Sequence, residues 1–319
     1  MRSASLHGNL ALALAALAIA TMPLYASPYH MQLASTAMIA AMFALSLQLL
    51  LGGAGMVSLA QAAFFGLGAY SVYLLDRILG DAPSVLLSLP VSALVAGFAA
   101  LVIGPFAMRT RGFFFLMATL AFGQMLFFVF HDTPLGGGAD GVFIQRPVFV
   151  AFGIGFEVSR ANRTIVFLLT NLAVLITMYG ILWWLMRTLF GHALLGIRAN
   201  EDRMRAMGHD TLRLKLVAFV LAGALAGIAG HMAALNDAFV NPELLGWHRS
   251  AEALLIVLLG GIGALHGPIL GAFAYTLIAE IGQSITERQR LVEGLVILGA
   301  VLLLRHGIAG VRLRRPAPT

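Results

Sequence analysis

Runs of about 20 apolar residues recur along almost the whole sequence, and that repetition limits the possible folds more than any other feature. Coiled as an α-helix, such a run matches the hydrocarbon thickness of a bilayer. In lipid a backbone must satisfy its own polar groups, so only helices and closed barrels span it, and uninterrupted apolar runs select helices. The runs read as spans Asn9–Ala26, Met31–Leu50, Met56–Leu75, Ser84–Met108, Phe113–Phe130, Thr164–Met186, Leu214–Leu235 and Leu291–Leu304. They account for a composition that is 60% hydrophobic and only 11% charged, where soluble domains carry about 25% charge. The expected fold is all-α: one polytopic membrane helix bundle over residues 1–319, with roughly eight full spans. The first run lacks a small-residue cleavage site and is expected to remain as a span.

One further apolar stretch, Ala251–Ile281, is interrupted by GGIGALHGP from Gly260 to Pro268. As a single helix it would reach about 46 Å, beyond a bilayer of about 30 Å, and each half alone is too short. A re-entrant hairpin, or two short helices meeting at the break, fits instead. Both ends of the stretch then lie on one side of the membrane.

Charge sets the expected orientation. With both termini inside, thirteen of the twenty Lys and Arg fall on the inner side, including Arg109, Arg111 and the tail from 305 to 319. Seven fall outside, Arg163 and Arg249 among them. That bias favours cytoplasmic termini. It makes residues 187–213 a cytoplasmic loop and 131–163 an external one. The sequence pI near 10.3 then reflects membrane topology rather than nucleic-acid binding.

Several chemistries are excluded. There is no cysteine, so no disulfide, thiolate metal site or thiol nucleophile is available. The sole lysine, Lys215, follows Leu214, so there is no phosphate-binding GxxxxGK[ST] loop. His231 and His266 are expected to be packed or interfacial side chains, not metal ligands, and no catalytic arrangement is legible. No carboxylate, Lys or Arg sits at mid-depth in any span, which argues against proton coupling and leaves only backbone carbonyls to hold sodium. The mid-depth polar groups are Gln48, Gln61, Gln124 and Asn171; interhelical hydrogen bonding and substrate contact are both open to them.

The stretch Arg187–Lys215, RTLFGHALLGIRANEDRMRAMGHDTLRLK, gathers six basic and three acidic residues between two apolar runs. Leu194, Ile197, Met204 and Met207 fall on one helical face, and Arg198, Asp202 and Arg205 on another. Gly191 and Gly208 bracket the segment as flexible ends. A helix of this kind suits a groove on another protein, or the lipid headgroup layer. Elsewhere, Gly66 and Gly68 read as close-packing positions, Gly52–Gly55 as the site of an unwound turn, and GGGADG (Gly136–Gly141) as a turn needing positive φ.

FGHALLGIRANEDRMRAMGHDTLRLKLVAFVLAGALAGIAG resembles the cytoplasmic coupling loop and following span of LivM-type permeases, the membrane subunits of branched-chain amino-acid ABC importers. Four more blocks resemble the same family in order: LGGAGMVSLAQAAFFGLGAY (Leu51–Tyr70), RTRGFFFLMATLAFGQM (Arg109–Met125), GGGADGV (Gly136–Val142) and LLGGIGALHGPILGA (Leu259–Ala272). The sequence departs from the family pattern at Ala60-Gln61 (usually Gly-His), Gln124 (commonly Glu) and His192 (commonly Arg). The coupling signature of permeases has Glu and Gly six apart; Asp202 and Gly208 have that spacing, whereas Glu201 and Gly208 are seven apart.

The resemblance implies a permease subunit with no catalytic site of its own, translocating branched-chain or related amino acids across a bacterial inner membrane. It implies a second, homologous permease subunit, two cytoplasmic ATP-binding subunits and a periplasmic solute-binding protein as partners. No cofactor or metal is expected on this chain; ATP and magnesium belong to the partner ATPases. Gly191, Ile197, Arg198, Glu201, Asp202, Met204, Ala206 and Gly208 become the coupling residues, and Gln61, Phe64, Thr119 and Gln124 candidates for the translocation pathway. Transport of urea or short amides, a stand-alone transporter or channel, and a lipid-binding scaffold are the alternatives.

Overall fold

The computed structural model describes residues 15–79, 85–144, 149–151, 154–156, 162–285, 294, 299 and 307–310. Residues 9–14 of the first expected span, nearly all of Leu291–Leu304, and most of the basic tail lie outside the described residues.

After a short apolar helix, Ala15–Leu24, ten α-helices follow in order among the described residues. They are α1 (Pro28–Gln48), α2 (Gln61–Leu79), α3 (Val85–Ala107), α4 (Phe113–Asp132), α5 (Arg163–Arg187), α6 (Leu189–Ala199), α7 (Glu201–Ala206), α8 (Thr211–Asp237), α9 (Trp247–Gly260) and α10 (Gly267–Ile285). Among the described residues five are long and apolar enough to cross a bilayer: α1 with its extension to Ala54, α3 from Leu87, α4, α5 and α8. The expected all-α membrane bundle is thus what these sequences form. Strand structure is confined, among the described residues, to four segments of two or three residues.

The centre is α8, which packs most extensively against α2 and α3. No hydrophobic effect draws helices together in lipid, so close backbone approach has to do it. Small residues allow that approach. A Cβ on Gly68 of α2 would lie 2.1 Å from the Gly227 carbonyl oxygen, and one on Gly230 would lie 1.8 Å from that of Phe65. Ala96 and Ala100 of α3 stand equally close to Gly227 and Gly223. A Cβ on Gly66 would strike Leu245, so both glycines expected to serve packing do so. Between α3 and α8, His231 bonds to Ser92 at 2.8 Å and to Ser88 at 3.3 Å, which explains how a histidine rests fully buried in an apolar bundle.

Two irregularities interrupt the helices. First, α1 runs on as a π-helical turn over Leu49–Ala54 and stops at Gly55, which adopts the left-handed φ of 70°. The chain is then non-helical until α2 begins at Gln61, so the expected span Met56–Leu75 starts five residues late and ends at Leu79. Second, the stretch around Gly260–Pro268 is indeed broken. The helices α9 and α10 pack as a hairpin, with a Cβ on Gly260 falling 2.0 Å from the Gly267 carbonyl oxygen. Tyr29, at the start of α1, donates to Glu280 near the end of α10. Gln48, at the other end of α1, donates to the Ile262 carbonyl oxygen at the hairpin tip, 2.7 Å away. The hairpin therefore dips along α1 and returns to the end it left.

Residues 133–144, just after α4, are shaped by a run of glycine turns. Gly137, Gly138 and Gly141 take the positive φ expected of GGGADG. They turn the chain so that Val142–Phe143 pairs antiparallel with Phe239–Val240, just past the end of α8. The bundle's two ends are thereby sorted: the breaks at 52–57 and 108–113 gather with the charged loop, and 131–144 gathers with 236–245.

Candidate functional site

The charged loop folds as two helices, not one. Asn200 leaves the helix with φ −164° and ψ 103°, and its side-chain oxygen accepts the Arg203 amide at 2.9 Å, capping α7. Glu201 and Asp202 occupy the first turn, where the helix dipole favours acids. At the far end the His209 amide bonds to the Met204 carbonyl and the Gly208 amide to that of Arg205, with Gly208 at φ 86°. This closure needs a left-handed residue, so Gly208 is a fixed stop. Gly191 is no flexible end either: it is buried in α6, where a Cβ would lie 2.4 Å from the Cα of Met186.

The break at Asn200 reorganises the two expected faces. Leu194, Ile197 and Met204 are buried, but against this chain itself: Leu194 against Gly53, and Met204 against Gly196. Met207 leaves the stripe and is 60% exposed. Arg198, Asp202 and Arg205 do not share a face. Arg198 Nη1 donates to the Gly52 carbonyl oxygen, Arg205 turns to Glu201, and Asp202 points to solvent. The surface left open therefore mixes apolar and charged residues: Leu195, Ala199, Asp202, Arg203, Ala206 and Met207.

Glu201 is the electrostatic centre. Its carboxylate accepts from Lys215 Nζ at 2.8 Å, Arg205 Nη2 at 2.8 Å and Thr211 Oγ1 at 3.2 Å. Burial alone would raise its pKa; the bond and charge of Lys215, the charge of Arg205 and the Thr211 bond outweigh that and hold it below the ordinary glutamate value. Lys215 is nearly buried, its side chain 9% exposed. The pair ties α7 to the first turns of α8. Sequence reasoning used Lys215 as an inner-side charge and to exclude a phosphate-binding loop; its solitude in an apolar run was the signal that it needed a partner. Beside this cluster an open cavity of about 490 Å³, lined by Gly55, Arg111, Phe115, Ile197 and Arg198, separates the loop from the turn between α3 and α4.

Of the four residues considered for the pathway, two gather at the non-helical stretch before α2. Thr119 Oγ1 accepts the Leu59 amide at 3.1 Å. Gln61 is fully buried, and neither of its amide atoms has a partner. Ser250 of α9, which sequence reasoning missed, accepts the Ala62 amide at 2.8 Å and donates to the Leu59 carbonyl at 2.7 Å. Irregular backbone survives at membrane depth when protein groups satisfy it in this way. Phe64 stands apart, sealed in the core edge-to-face with Phe219 at 5.4 Å. Gln124 is half-buried, with an unpartnered Nε2. Of the neutral polar groups, Gln48 bonds across helices to the hairpin tip, whereas Asn171 is buried with both amide atoms unpartnered.

A bundle of membrane-length apolar helices, crossed by a hairpin gripped from within and carrying a charged double helix bolted to one end, is a multi-pass membrane protein. The chain belongs to the branched-chain amino acid transport system permease component family, whose model matches residues 29–304. It is similar to the high-affinity branched-chain amino acid transport system permease protein LivM of Escherichia coli strain K12, 29% identical over 301 residues, covering 88% of this chain and 70% of the relative. It is also similar to a probable branched-chain amino acid transport permease protein, LivH, of Methanocaldococcus jannaschii, 25% identical over 274 residues (79% and 82% of the two chains). A shorter likeness, 34% over 142 residues and 40% of each chain, is to the autoinducer 2 import system permease protein LsrC of Klebsiella pneumoniae subsp. pneumoniae. No solved structure matches the chain.

Proposed function

We propose that this chain is the membrane-spanning permease subunit of an ATP-driven importer for branched-chain amino acids in a bacterial inner membrane. Both termini and the charged loop are cytoplasmic, and roughly eight full spans accompany the α9–α10 hairpin. A second, homologous permease subunit completes the pathway. Two cytoplasmic ATPases, which bind ATP and magnesium, press on α6 and α7, and an external solute-binding protein delivers cargo at the opposite end. The chain itself carries no catalytic group and no cofactor.

One observation carries the mechanism: α7 is fastened to the long helix α8 by the Glu201–Lys215 pair, while α6 is fastened to the end of α1 by Arg198. A push on the exposed side of α6 and α7 therefore enters two spans together. Packed helices switch between discrete arrangements and do not deform continuously, so the push changes state and not merely shape. Gln48 on α1 passes the movement to the hairpin tip at Ile262. In this mechanism the coupling contacts lie on the exposed residues Asp202, Ala206 and Met207; Gly191, Ile197, Arg198, Glu201, Met204 and Gly208 position them.

The test is ATP-driven uptake of leucine, isoleucine and valine by vesicles carrying the co-expressed importer, with urea, short amides and autoinducer 2 as competing cargo. Met207→Asp is expected to abolish uptake and reduce recovery of the ATPases while insertion stays normal. Leucine flux through this chain without ATPases would overturn the reading in favour of a stand-alone transporter.

A further inference from the structure

Two cavities adjoin one stripe of α1 at the end of the bundle opposite the charged loop. Along that stripe Gln32, Ser35, Thr36, Ile39, Ala40 and Phe43 recur at spacings of three and four, which places them on one helical face. The first cavity, about 250 Å³, is polar and is walled by Ser35, Arg163, Thr164, Asn236 and Asp237. The second, about 270 Å³, has an apolar wall of Ile39, Phe43, Phe65 and Ile256, with Arg249 and Glu252 also lining it. Asn236 and Asp237 line both, so the two spaces flank the last turn of α8 and share it as a wall. Each volume approaches the lower end of small-molecule sites, about 300 Å³.

The charges in this space are unevenly committed. Arg249 is held by Glu252 at 3.0 Å. Arg163 lies 5.4 Å from the Phe167 ring centre and makes no ion pair among the described residues. Asp237 accepts a bond from its neighbour Asn236 at 2.9 Å. Ser35 supplies an independent sign of a ligand. It is 1% exposed, and its hydroxyl, on the wall of the polar cavity, has no partner. A buried hydroxyl is costly to leave unbonded, and such groups in native proteins have a partner to meet.

We propose that the two adjoining cavities together bind a zwitterionic amphiphile, an α-amino acid with an aliphatic side chain. Arg163 takes the carboxylate, which a guanidinium matches in a two-pronged geometry. Asp237 takes the ammonium, and Ser35 completes the polar end. The Ile39–Phe43–Phe65–Ile256 wall takes the aliphatic chain, whose burial supplies the non-directional part of the affinity. The proposal rests on the importer reading and deepens it, placing the cargo's first stop inside this chain.

The test pairs two measurements on the assembled complex of both permease subunits and the ATPases. One is equilibrium binding of labelled leucine without nucleotide or solute-binding protein; the other is ATP-driven leucine uptake with the solute-binding protein present. Leucine is expected to bind. 4-Methyl-2-oxopentanoate, which lacks the ammonium, and isoamylamine, which lacks the carboxylate, are expected to bind about tenfold more weakly or worse. Arg163→Gln and Asp237→Asn should each weaken leucine binding about tenfold, with Arg163→Lys recovering part of the loss. Ala40→Leu fills the apolar cavity without touching a charge and should shift preference from leucine to alanine. That shift distinguishes a binding role from mere loss of folding. If the wild type takes up leucine but shows no binding, or the variants bind as the wild type does, the site assignment is overturned. If binding follows the expected pattern and uptake fails, the site stands and the importer reading falls. If leucine neither binds nor is taken up, both fall.

Discussion

Arg198 Nη1 stands 2.6 Å from the main-chain oxygen of Gly52, a bond that spans 146 residues of sequence and joins the charged loop to the last turn of α1. That oxygen is one of the carbonyls a helix end leaves unpaired, so a cation there meets both a free acceptor and the negative end of the helix dipole. Arg198→Ala should leave ATP hydrolysis by the assembled complex running while leucine uptake falls about tenfold, the cost of losing one charge-assisted bond. Equal loss of both activities would place the residue in folding and not in coupling.

The Glu201–Lys215 pair should behave as a buried one. Glu201→Gln strands a lysine whose side chain is 9% exposed, and should cost about 3 kcal/mol, the low end for a broken buried pair because the glutamate is 22% exposed. The double variant Glu201→Gln/Lys215→Met should recover most of that loss in thermal melts of the purified protein.

Acid should release the same tie. The folded protein holds the Glu201 carboxyl below the ordinary value, chiefly because the Lys215 bond and charge overcome burial. The stability this contributes is complete above the unfolded carboxyl range, about pH 4.3, and is lost as pH falls through the lower folded value. Melts across that window should show an acid limb that is smaller in Glu201→Gln.

Gly230→Ala and Gly68→Ala each place a methyl within 2.1 Å of backbone, which no rotamer change relieves. Each should cost about 1–3 kcal/mol or more through overpacking. Gly180→Ala, where nothing lies within 4 Å, is the matched control and should leave the melting temperature unchanged or slightly raised.

Gln48→Leu removes the side-chain donor shared by the Ile262 and Ala264 carbonyls. Those oxygens then lack a partner, at a cost of about 1–3 kcal/mol. Amide exchange over residues 261–267 should accelerate in this variant before exchange elsewhere does. Unchanged exchange there would mean that the hairpin tip is held by its own glycines.

How much of this was legible in the sequence depended on whether the signal was local. The long spans could be read because a run of apolar residues states its own solvent. The hairpin break at Gly260–Pro268 and the left-handed turn at Gly137, Gly138 and Gly141 could be read because glycine and proline act on their own backbone. The stripe of Leu194, Ile197 and Met204 was legible as a face, but periodicity does not say what a face meets, and here it meets the parent bundle. The break at Asn200 had a local signal that passed unread: an asparagine followed by two acids is an N-cap. The partners of Lys215, Gln48 and Ser250 were beyond reach, since each lies 14 to 214 residues away in the chain. The amphipathic cavities, assembled from several separate elements, were likewise invisible.

Helix α8 begins beside Lys215 and ends, 27 residues and about 40 Å later, at the strand pair formed by Phe239–Val240 with Val142–Phe143. A hydrogen-bonded helix resists compression along its axis, so it works as a pushrod. In the proposed mechanism a displacement of its Lys215 end therefore arrives at the clasped strand pair as well, and the two mouths keep one clock.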